Sequence, residues 1–147
     1  MLGRESPKTG CGYEIMTSIM LVDDNEGFLA VAQEYIEAFN DFQVIQTANS
    51  GEDALTLLEH ERPDILVVDL SMHGMSGLDV ARSVKGRWPG LPVVILTMLD
   101  TDMHRQAAHE AGADAYVVKT TMDTDLIPHL ERLCQANPSR CGNAKVN

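Results

Sequence analysis

Apolar and polar positions follow two rhythms along this chain. Short unbroken apolar runs occur at Ile19-Met20-Leu21-Val22, Ile65-Leu66-Val67-Val68, Val93-Val94-Ile95-Leu96-Thr97 and Ala115-Tyr116-Val117-Val118-Lys119. Runs this short, bounded by turn residues such as Pro63-Asp64 and the Trp88-Pro89-Gly90-Leu91-Pro92 segment, predict strands buried on both faces. Phe42 to Thr47 alternates instead, and predicts a further strand, second in chain order. Between the strands the period lengthens. Phe28, Leu29, Ala32, Tyr35, Ile36 and Phe39 recur at helical spacing, as do Ala54, Leu55 and Leu58 behind a Ser50 cap, and Leu78, Ala81 and Val84 behind Ser76. A fourth helix, about Asp102 to Ala111, has only a weak stripe of Met103, Ala107 and Ala111, with Gly112 suited to end it. Leu126, Ile127, Leu130 and Leu133 mark the last helix. Pro128 lacks an N–H and fits best in a first turn, so this helix is predicted to start near Asp125.

Strand then helix, five times over, with short crossovers, predicts an α/β fold: a doubly wound five-stranded parallel sheet with helices on both faces. The 147 residues allow one domain of this kind, expected over 16–135. Residues 1–15 are polar and glycine-rich and are expected to be a disordered extension; 136–147 are expected to be a tail or linker stub. The formal charge of −11 argues against direct nucleic-acid binding or anionic-membrane binding by this segment, since both need Lys and Arg. No apolar run is long enough to span a bilayer. Three cysteines without a C-x-x-C pattern fit a reducing cytoplasm better than a disulfide framework.

Candidate chemistry lies in the residues that close the strands: Asp23 and Asp24 on the first, Asp69 on the third, Thr97 on the fourth and Lys119 on the fifth. Open parallel sheets gather ligands outside the carboxyl ends of their strands. Three carboxylates brought there repel by about 4 kcal/mol per pair at ~4 Å and an effective dielectric of about 20. Such a cluster calls for a cation, and hard oxygen donors with room for water suit Mg2+. Asp69 is then placed as a carboxylate nucleophile for a phosphoryl group. The metal and the Lys119 ammonium would offset charge on the transferring oxygens, and the Thr97 hydroxyl could donate to the adduct.

These residues resemble the receiver domain of two-component response regulators. The motifs are Leu21-Val22-Asp23-Asp24-Asn25-Glu26, Asp69-Leu70-Ser71-Met72, Gly77-Leu78-Asp79, Leu96-Thr97 and Gly112-Ala113-Asp114-Ala115-Tyr116-Val117-Val118-Lys119. No single one is specific; five in order over about Ser18 to Gln135 are. The resemblance implies a flavodoxin-like sheet in strand order 2-1-3-4-5. It implies Asp69 as phosphoacceptor from a sensor histidine kinase or phosphotransfer protein. Asp23, Asp24, Asp69 and the backbone carbonyl of Ser71 would hold Mg2+, Thr97 and Lys119 would serve the transfer, and Thr97 and Tyr116 would form a switch. It further implies no metabolite-converting activity beyond self-phosphorylation and autodephosphorylation, an output domain or downstream protein, and a phosphorylation-dependent homodimer.

The chain departs from the family pattern at two positions. His73 stands where many receivers have Pro, which predicts a looser loop after Asp69. Thr120 stands where many have Pro in a cis bond; a cis bond before Thr would cost roughly 2.5–4 kcal/mol, so strain or rearrangement is expected there. Lack of that Pro favours the branch with tetrahelical helix-turn-helix outputs. Met98, beside Thr97, is expected to narrow access to Asp69. Three rivals compete: a degenerate receiver acting only as a protein-interaction module, an aspartyl-phosphate hydrolase, and a flavin binder. Against the hydrolase, Ser71 occupies the position of a second Asp. Against the flavin binder, Asp23-Asp24 would repel a phosphate.

Overall fold

The computed structural model describes residues 16–136. The extension predicted at 1–15 lies outside them, as does the tail predicted at 136–147 except for Ala136, which ends the last helix. Five strands, β1 (Thr17–Val22), β2 (Phe42–Ala48), β3 (Ile65–Val68), β4 (Val93–Thr97) and β5 (Ala115–Val118), alternate with five helices. The helices are α1 (Glu26–Glu37), α2 (Gly51–His60), α3 (Gly77–Arg87), α4 (Asp102–Glu110) and α5 (Met122–Ala136). All strand pairings are parallel, in the order β2-β1-β3-β4-β5.

Double-sided burial follows from strand alternation. Ile19, Leu21, Ile65, Val67, Val94 and Leu96 pack on one face with α1 and α5, against Leu29, Ile36, Leu126 and Leu130. Met20, Val22, Leu66, Val68, Val93 and Ile95 pack on the other with α2, α3 and α4. Removing each of these side chains from water contributes about 2 kcal/mol, which is why the three central strands read as unbroken apolar runs. β2, at the edge, has one solvated side and keeps its alternation; Ile45 is the extra residue where the register with β1 shifts.

The predicted serine caps are present: Ser50 Oγ accepts from Asp53 N at 3.1 Å and Ser76 Oγ from Asp79 N at 3.3 Å. α1 is capped by Asn25, whose Oδ1 accepts from Phe28 N at 3.0 Å. Two expectations need correction. Phe39 lies past the end of α1 and stacks edge-on against Tyr35, ring centroids 5.5 Å apart. α5 begins at Met122, one turn earlier than Pro128 suggested. The carbonyl four residues before Pro128 belongs to Thr124; both residues are exposed, so water can take the bond the proline cannot make. On α4 the buried residue is Ala108, while Met103 is 77% exposed.

Candidate functional site

Strand register brings the predicted residues to one rim. Val22 pairs with Val68, Val68 with Ile95, and Thr97 with Val118. The residues that follow, Asp23, Asp69 and Lys119, therefore leave the sheet side by side. Asp69 N donates to Val22 O at 3.0 Å and Asp23 N to Ala48 O at 3.1 Å, fixing both backbones at the edge.

The Lys119 ammonium is the centre of the cluster. Its Nζ lies 2.6 Å from Asp23 Oδ2 and 3.3 Å from Asp69 Oδ2. It also sits 4.0 Å from the centroid of the Phe28 ring, a cation–π contact that fixes it from the α1 side. Asp23 and Asp69 are both buried. Asp69 Oδ1 accepts from Ser71 N at 3.3 Å, and Asp23 Oδ1 from Asn25 N at 2.9 Å. Asp23 Oδ2 has the ammonium within ion-pair distance but no hydrogen bond of good geometry.

Two buried carboxylates thus share one ammonium, leaving an excess negative charge. Burial pushes the Asp23 carboxyl above its ordinary range, against the lowering effects of Lys119 and the Asn25 N–H, and the Asp69 charge pushes in the same direction as burial. Asp24, next to Asp23, takes a different partner. Its Oδ2 accepts from His73 N at 3.1 Å and lies 2.9 Å from His73 Nδ1. The backbone N–H of His73 is the main reason its carboxyl is held below the ordinary range. The loop after Asp69 is therefore tied to the first strand's acidic pair at His73, where a loosening had been predicted.

Thr97 is buried at the end of β4, and its Oγ1 accepts from Leu99 N at 3.4 Å. Tyr116 on β5 donates its hydroxyl to Leu99 O at 2.7 Å. The Arg105 guanidinium from α4 lies 4.7 Å from the Tyr116 ring centroid, and its Nε donates to Asp100 Oδ1 at 3.0 Å. Burial raises the Tyr116 phenol above its usual value. Among the described residues no peptide bond is cis; Lys119–Thr121 is a 3₁₀ turn leading into α5, and Lys119 reaches the acidic pair from it. The bond before Thr120 is thus trans. Met98 is 60% exposed.

Sequence reasoning brought Asp23, Asp69 and Lys119 together, with Asp24 adjacent, and placed Thr97 and Tyr116 one strand apart. It missed Phe28 under the ammonium, the Leu99 backbone between the two hydroxyls and Arg105 over Tyr116, and it named Gly77 in a motif without giving it a role. A Cβ on Gly77 would collide with the Asp69 carbonyl, so only glycine lets α3 begin this close to the rim. The one available signal was Gly77 itself, a glycine at the first position of a serine-capped helix.

The carboxylates of Asp23, Asp24 and Asp69 offer oxygen ligands, the type that fits a hard cation. Among the described residues no trio of His, Cys, Asp or Glu side chains closes into a ready-made cage. Mg2+ does not need one: it binds through one or two carboxylates and keeps several waters. A groove of about 580 Å3 between α1 and α2, over the end of β2, has a mixed lining that includes Leu29, Ala30, Thr47 and Leu57 but not Asp23, Asp69 or Lys119.

Five parallel strands in this order, wound on both faces, with acidic residues and a lysine at the carboxyl rim, define a flavodoxin-like domain of the receiver kind. The family model described as "Response regulator receiver domain" matches residues 19–131, and the chain belongs to that family. It is 32% identical over 108 residues to the response regulator protein VraR of Staphylococcus epidermidis, covering 74% of this chain and 52% of that protein. It is 35% identical over 104 residues to the transcriptional regulatory protein AfsQ1 of Streptomyces coelicolor, covering 71% and 45%. The solved structure of a LuxR-family two-component response regulator from Aurantimonas sp. SI85-9A1 superposes with a TM-score of 0.79 at 28% identity, covering 82% of this chain and 86% of that one. The chain is the receiver domain of a two-component response regulator and spans about half the length of the curated relatives it matches. No helix among the described residues is long and apolar enough to cross a membrane.

Proposed function

We propose that Asp69 is the phosphoacceptor, and that its modification switches the surface formed by α4 and β5. The observation that carries this reading is the sharing of Lys119 between Asp23 and Asp69 at 2.6 and 3.3 Å. An Asp69 oxygen attacks phosphorus, the bond from phosphorus to the donor's leaving group breaks, and an acyl phosphate results. A carboxylate already carries the electron pair it needs, so no general base is required. Lys119 holds Asp69 in place and then meets the new negative oxygens. Mg2+, held by Asp23, Asp24, Asp69 and the Ser71 carbonyl, would supply positive charge to the phosphoryl oxygens.

The Thr97 hydroxyl turns toward the adduct and gives up its Leu99 contact. The Tyr116 ring takes the vacated space, and α4 repacks. The phosphodonor in the cell is a sensor histidine kinase or a phosphotransfer protein. The readout is an output domain, a downstream protein or a second copy of the domain. Coverage of about half of each relative supports an output segment elsewhere in the regulator. Self-phosphorylation and autodephosphorylation are the only reactions assigned.

Intact-mass analysis after acetyl phosphate or phosphoramidate with Mg2+ tests the reading. One phosphoryl group is expected on the parent and none on Asp69→Asn. An unlabelled parent would favour an interaction module, and sustained release of phosphate would favour a hydrolase.

A further inference from the structure

His73 is the residue at which this chain breaks most visibly with its family's loop, and it makes a specific contact. Both its backbone N–H and its ring Nδ1 meet the same oxygen of Asp24, at 3.1 and 2.9 Å. Both donors engage Oδ2, so neither occupies the other carboxylate oxygen, Oδ1. The His73 side chain is fully exposed, while that of Asp24 is 28% exposed. A proline at this position would have neither an N–H nor a ring donor. A carboxylate that binds a metal is usually oriented by hydrogen bonds from a surrounding shell, and losing such a partner weakens the metal by about 10- to 100-fold.

We propose that His73 is a positioning residue for the cation site: it braces Asp24 through Oδ2 and presents Oδ1 to a divalent cation. This rests on the reading of Asp23, Asp24 and Asp69 as the Mg2+ site. The brace has two parts that substitutions separate. His73→Ala keeps the backbone donor and removes the ring. His73→Pro removes both and restores the residue that many receivers carry, so the fold is expected to tolerate it. His73→Asn keeps the backbone donor and supplies a short side-chain N–H donor.

The test measures affinity for Mg2+ by calorimetry, and for Mn2+ by the loss of its free-ion EPR signal, on the unphosphorylated 147-residue chain. Because the ring is exposed, its share falls at or below the lower end of that range: about 3-fold weaker binding for His73→Ala, about 10-fold for His73→Pro, and recovery toward the parent for His73→Asn. The Mg2+ concentration that half-saturates phosphodonor labelling rises in the same order, while the rate at saturating Mg2+ stays at the parent value. In an Asp24→Asn background the His73 substitutions have no further effect. Parent-like affinity in both His73→Ala and His73→Pro overturns the proposal, and so does tighter binding, which would make the ring a competitor of the cation. A parent that binds neither metal ends the Mg2+ reading itself, and the brace with it.

Discussion

Both rims of the sheet use aspartates, and they use them in opposite ways. At the amino-terminal rim, Asp64 Oδ2 accepts from Ser18 N at 2.8 Å and Ser18 Oγ at 3.1 Å, while Asp64 N donates back to Ser18 Oγ and to Ser18 O, both at 2.9 Å. Asp114 Oδ2 accepts from Val93 N at 2.9 Å and Lys85 Nζ at 2.7 Å, while Asp114 N donates to Val93 O at 2.8 Å. Each of these carboxylates closes a reciprocal loop with a neighbouring strand. At the carboxyl-terminal rim, Asp23 and Asp69 accept backbone bonds only from residues two positions further along their own loops, and converge on one ammonium. One rim is tied shut by satisfied groups. The other holds charge that the protein alone does not neutralise, and that imbalance is what a cation and a phosphoryl group can use.

The contrast predicts opposite signs for similar substitutions. Asp114→Ala should have the largest effect on stability, a loss of about 2 kcal/mol, because the buried Val93 N–H loses this acceptor. Urea denaturation would show a lower midpoint at unchanged slope, and no change would mean the amino-terminal rim is not the staple described. Asp23→Asn should move the other way, gaining about 1 kcal/mol at neutral pH in the absence of divalent cation, since it removes a buried charge that shares its partner. Its pH signature has a definite sign. The folded pKa of Asp23 lies above its unfolded value of 3.8, so its favourable contribution is complete below 3.8. That contribution is lost as pH rises through the folded value, and Asp23→Asn lacks that decline. Asp24, held below 3.8, contributes in the reverse direction: its stabilisation is present above 3.8 and is lost on acidification through its folded value. Urea midpoints measured across this pH range in the two Asn variants separate the neighbours. The smallest effect is expected at Met98. Its exposure beside Thr97 predicts that Met98→Ala accepts small phosphodonors about two- to threefold faster, under 1 kcal/mol of barrier. Labelling no faster than the parent would remove Met98 as a gate.

What the sequence revealed follows from which forces act locally. Runs of four or five apolar residues specify central strands because two helical layers cover them. Ser50 and Ser76 announce their helices because a hydroxyl and an N–H three residues on are enough to make a cap. Strand ends can be aligned from such runs, so Asp23, Asp69 and Lys119 could be placed at one rim before any coordinates. The misses are cases where a tertiary neighbour or the solvent decided. Pro128 delays the predicted start of α5 only if its missing bond must be met by protein. His73 reads as a missing proline, and only the folded loop shows it beside Asp24, 49 positions away.

The backbone of Leu99 touches both hydroxyls of the proposed switch: its N–H reaches Thr97 and its carbonyl receives Tyr116. Those bonds belong to the main chain, so replacing the side chain at 99 cannot cut them. Two residues later the chain enters the Thr101 cap of α4. If the proposed switch operates, a rotation at either hydroxyl pulls on the same backbone unit, and the helix beyond it would receive one combined input and not two separate ones.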